Sequence, residues 1–90
     1  MIAPHVWEHV PTAVARACSI VEDDTGRAVN AVAVRDNVEG KLLRLDSAVR
    51  AMIDAERDLE SLGRYRSGLL SATVVALRTL ADIAGPEGDA

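Results

Sequence analysis

The sequence predicts an all-α chain. Nearly half the residues are apolar (49%), yet there is no Phe, one Trp and one Tyr, so the core must be built from Ala, Val and Leu. Ala is the strongest helix former, and the Leu, Arg and Glu content agrees with it. Apolar residues recur in steps of three and four along most of the chain, the helical period. Finally, between Arg64 and Ala84 the polar side chains Arg64, Ser67, Ser71, Arg78 and Asp82 fall within roughly 60° of one another on a helix. A surface helix shows one apolar stripe and a broad polar face; this one shows the reverse and should be buried on most sides.

Along the chain, Trp7, Val10, Val14, Ala17 and Val21 suit a first amphipathic helix. Pro11 is incompatible with a helix interior but favoured in a first turn, so the helix is placed at about 11–22, with a turn or short helix before it. Glu22-Asp23-Asp24-Thr25-Gly26 is a break, with Asp24 or Thr25 as the cap of the next helix. Arg27 to Val34 is Val-rich and would suit a strand, but no partner strand is evident, so helix is expected there.

A long helix comes next. Ala31, Val34, Val38, Leu42, Leu45, Val49, Met52 and Leu59 mark one seam. Two consecutive steps of four, next to Asn37 and Gly40, predict a bend at about 36–40. Leu43, Ile53 and Leu62 widen the stripe. Asp46–Arg50 and Glu60–Arg64 are favourable i,i+4 pairs. Glu56 falls on the seam, either at its edge with the carboxylate in solvent or bridging to an Arg of a second chain.

Gly63 and Gly68 bracket the second turn, Ser67 can cap the last helix, and Gly85-Pro86 ends it. The expected architecture is a short N-terminal helix followed by a long antiparallel helical hairpin. Residues 1–84 form one domain and 85–90 a disordered tail.

The last helix has two unlike apolar sides. Leu69, Leu70, Val74, Leu77, Leu80 and Ala84 form a bulky side for the long helix. The small-residue side allows close approach of another helix. The first helix can fill it; if that helix is short, a second copy does, most simply about a two-fold axis. A chain of this size buries only about 60–65% of its unfolded surface, which favours self-association. The expected state is therefore a homo-oligomeric bundle, a dimer first, in contact through Gly68, Ala72, Val75, Ala76, Thr79 and Ile83.

The formal charge of −4 argues against a general nucleic-acid binder. The arginines at 16, 27, 35, 44, 50 and 57 are scattered rather than gathered on a recognition helix. Cys18 stands alone, which excludes an intrachain disulfide and suits a reducing compartment. The first residues lack the pattern of a signal peptide, and no apolar run is long enough to span a membrane, so a cytoplasmic location without a membrane partner is expected.

Few residues offer chemistry. His5-Val6-Trp7-Glu8-His9 matches the H-x-x-E-H spacing of inverted zinc peptidases, in which two His share a helix face. It lies between Pro4 and Pro11 with no third ligand nearby, so His5 and His9 are at most a weak metal pair. Arg64-Tyr65-Arg66 places cations where a helix N-terminus prefers anions. Asp58 and Glu60 can neutralise them, or the tip can hold a phosphate with Tyr65 against a base. Arg64-Tyr65, Arg78 and Pro86 resemble the return helix of small phage-encoded sponges for cyclic-nucleotide messengers, over the last helix alone and with a different Arg78–Pro86 spacing. That resemblance implies a helical-hairpin small-ligand binder.

The only two histidines lie in the first nine residues, no nucleophile–His–acid set can be assembled, and no motif requires a cofactor. The function expected is that of a small non-enzymatic interaction module, acting on a protein partner as adaptors, inhibitors and assembly factors do. The alternatives are an antitoxin- or repressor-like regulator associated with nucleic acid, or the small-ligand binder.

Overall fold

A computed structural model describes residues 4–44, 46–62 and 67–84, with side chains at these positions except 58–62 and 67. These residues form five helices, α1 (Pro4–Glu8), α2 (Val10–Thr25), α3 (Ala31–Arg44), α4 (Ala48–Leu62) and α5 (Ser67–Ala84), with no strand among them. The expected features at Arg64, Tyr65 and Arg66, the 85–90 tail and the pair Glu60–Arg64 lie outside the described residues.

α2 starts one residue before Pro11, which sits in the first turn where its missing N–H costs no hydrogen bond. The helix stops at Gly26, whose φ of 73° is left-handed and whose N–H donates to the Glu22 carbonyl at 2.8 Å. Thr25 is therefore the last residue of α2 rather than a cap for the next helix. Its hydroxyl donates back to the Val21 carbonyl at 2.8 Å and accepts from the Arg27 N–H at 3.2 Å.

Residues 27–30 are not helical, contrary to the expectation for 27–34. The Glu22 carboxylate accepts the Val29 N–H at 2.8 Å, giving that backbone group a partner outside any helix. Asn30 then caps α3, its Oδ1 accepting the Ala33 N–H at 3.1 Å.

The long helix expected in the middle of the chain is two helices. α3 is helical through Asn37 and Gly40 and ends at Arg44. α4 begins after Ser47, whose hydroxyl accepts the Arg50 N–H at 3.1 Å and whose carbonyl starts the helical ladder. Asp46 accepts from the Arg50 guanidinium at 3.0 Å, the anticipated i,i+4 pair.

Breaking the helix resets its phase. In α3 the seam residues Val34, Val38 and Leu42 are buried as expected, whereas Ala31, at the head of the seam, is exposed. Among the described side chains of α4 the buried residues are Ala48, Ala51 and Ala55, while Val49, assigned to the seam, is 46% exposed.

α5 is the organising element. It packs most extensively on α2 and α4, then on α3, and touches α1. Leu77 and Leu80 are fully buried, and Leu70 and Val74 nearly so. Arg78 and Asp82 are its exposed residues among those described, and with half-buried Ser71 they span about 40° of the helix.

The cover on α5 comes from its own chain. A Cβ built on Gly68 would lie 4.0 Å from Val21 Cγ1, while Thr79 and Ile83 border a groove shared with His9 and Ala13. α2 therefore runs antiparallel to α5 along its small-residue side. Ala72 and Ala76, on the same face between these contacts, are 0% exposed. Val75 and Ile83 are half-buried against the core. The first helix is thus long enough to fill this side, the first of the two arrangements the sequence allows.

Candidate functional site

The antiparallel crossing of α2 and α5 leaves a groove of about 400 Å³ at the end where α2 begins and α5 finishes. α2 contributes Thr12, Ala13 and Arg16, with His9 just before its first residue, and α5 contributes Thr79, Asp82 and Ile83. The residues from each side recur every three or four positions, so each set shares a face. Ala13 is 1% exposed and forms part of the floor with half-buried Ile83. The Thr79 hydroxyl donates to the Val75 carbonyl at 3.0 Å, which leaves its oxygen lone pairs toward other partners.

Arg16 and Asp82 are both exposed, and opposite charges thus border one groove from two helices. Neither belongs to any of the ion pairs formed among the described residues. His9 occupies the N-cap position of α2 without a capping side-chain hydrogen bond. A second, smaller groove of about 160 Å³ between α2 and α3 is bordered by apolar residues and Arg35.

The H-x-x-E-H stretch does not lie on one helix. α1 stops at Glu8, and His9 forms the turn into α2, its N–H donating to the Val6 carbonyl at 3.1 Å. His5 and His9 are both exposed, and the described residues contain no group of three or more His, Cys, Asp or Glu side chains able to hold a metal.

Two charged residues behave in ways the sequence left open or missed. Glu56 finds its arginine inside the chain: its carboxylate accepts from the Arg78 guanidinium at 2.5 Å, joining α4 to α5. Lys41 is only 3% exposed, with its Nζ 3.9 Å from Asp54 Oδ2 on α4. Burial pushes the Lys41 amine below the ordinary lysine range, opposed by Asp54 and helped by Arg44. The legible signal was its position three residues after Val38 on the α3 seam. Cys18 is a buried thiol pushed up by burial and by the Glu22 charge, as an inert core cysteine should be.

No protein-family profile, curated protein or solved structure matches the chain. Among the described residues no helix is long and apolar enough to cross a membrane.

Proposed function

We propose that the chain is a non-catalytic interaction module that self-associates through the outward strip of α4. One observation carries the reading. α4 turns alanines into the core and leaves the branched apolar residues Val49 and Ile53 46% and 48% exposed. Two such residues at i,i+4 form a continuous apolar ridge, unlike the scattered apolar side chains found on any protein surface.

The flanking charges favour a second copy as the partner. Asp46 lies exposed before Val49, and Arg57 lies exposed after Ile53. In a two-fold antiparallel pairing, Val49 of one protomer falls beside Ile53 of its partner, and Asp46 comes within one residue of the level of Arg57, next to a Glu56 already neutralised by Arg78 of its own chain. A strip one helix wide is small beside the roughly 800 Å² per partner of a standard interface. The association is therefore concentration-dependent.

Light scattering coupled to gel filtration tests this from low micromolar to near-millimolar protein. The expected result is a monomer–dimer shift that the double variant Val49→Ser, Ile53→Ser abolishes while its helical circular dichroism is retained. A wild-type monomer across the whole range, or a variant that still dimerises, defeats the proposal.

A further inference from the structure

We propose that the α2–α5 groove binds a small zwitterion of the amino-acid or dipeptide class, its carboxylate on Arg16 and its ammonium on Asp82. This inference does not depend on self-association, because the groove lies between α2 and α5 and involves no residue of α4.

Arg16 and Asp82 border the same groove, yet no ion pair within 4.0 Å joins them. A simple anion would be drawn to Arg16 and repelled by Asp82, and a simple cation the opposite. A ligand bearing both charges satisfies both groups at once, and a guanidinium matches a carboxylate in bidentate geometry. In the same groove, buried Ala13 and half-buried Ile83 provide apolar surface for a side chain. Thr12 and the Thr79 oxygen add polar groups along the walls. The volume of about 400 Å³ falls in the range of small-molecule sites.

The test is an amide NMR titration with leucyl-glycine, run beside its N-acetylated form (carboxylate only) and its C-terminal amide (ammonium only). The free dipeptide is expected to give saturable shifts confined to the amides of residues 12–16 and 79–83, with each blocked form binding about tenfold more weakly. Arg16→Gln should lose discrimination against the amide, and Asp82→Asn should lose discrimination against the acetylated form. Both side chains are exposed, so both variants should fold. Absence of saturable shifts at millimolar dipeptide overturns the proposal. So does equal binding of all three compounds, or an Arg16 Nε resonance that moves in ligand-free Asp82→Asn, which would reveal a direct ion pair across the groove. Repeating the titration on Val49→Ser, Ile53→Ser separates this result from the state of assembly: the shifts should persist unchanged.

Discussion

The Arg78 guanidinium of α5 donates to the Glu56 carboxylate of α4 at 2.5 Å, across a separation of 22 residues. Glu56 interrupts an apolar pattern, and its partner lies in the narrow polar strip of α5, so two exceptions to the apolar surfaces meet each other. The side chains are 39% and 60% exposed, which limits what their attraction can contribute. A double-mutant cycle with Glu56→Gln and Arg78→Gln, read by urea unfolding, should give a coupling of about 0.2–1 kcal/mol that shrinks in high salt. A coupling that salt leaves unchanged would contradict this exposed geometry.

The two caps divide the middle of the chain into separate helices. Asn30→Ala and Ser47→Ala should each destabilise the fold by about 1 kcal/mol, since each leaves a first-turn N–H without its side-chain acceptor. Hydrogen exchange locates the effect: the Ala33 amide should lose protection in the first variant and the Arg50 amide in the second.

Two glycines should respond oppositely to alanine. Gly40 is inside α3, and an added Cβ would meet only the far end of the Arg44 side chain at 3.8 Å, so Gly40→Ala should stabilise by about 0.5–1 kcal/mol. Gly26 has open space around it but a φ of 73°. Gly26→Ala should cost about 1–2 kcal/mol through the left-handed backbone alone. Thermal unfolding of both variants checks the pair of signs.

Lys41 and Cys18 should bend the alkaline limb of the stability profile in opposite directions. The folded-state pKa of Lys41 is lowered, so below the ordinary lysine value of about 10.4 the unfolded chain binds more protons at this site. Its contribution to stability therefore rises with pH on approaching that value. The folded-state pKa of Cys18 is raised, so above about 8.5 the unfolded chain releases its proton first and stability falls. Urea unfolding from neutral to alkaline pH should show a steeper alkaline loss in Lys41→Met than in wild type, and a shallower one in Cys18→Ala. At 6% exposure, Cys18 should also react with a thiol reagent only at the rate of local opening.

What the sequence by itself determined was local. The spacing of apolar residues settled the all-helical class, Pro11 located the start of α2 to within a residue, and the Asp46–Arg50 pair was readable four positions apart. The polar strip of α5 likewise predicted a helix covered on nearly every side. Tertiary structure decided what does the covering, where the middle of the chain breaks, and which charges meet. The run of threes and fours through residues 31–62 reads as one seam because periodicity is a property of a continuous helix. Once the break between α3 and α4 resets the phase, Ala48, Ala51 and Ala55 go inward, while Val49 stays half exposed. Likewise no sequence window contains both Arg16 and Asp82; only the antiparallel docking of α2 on α5 brings them to one groove.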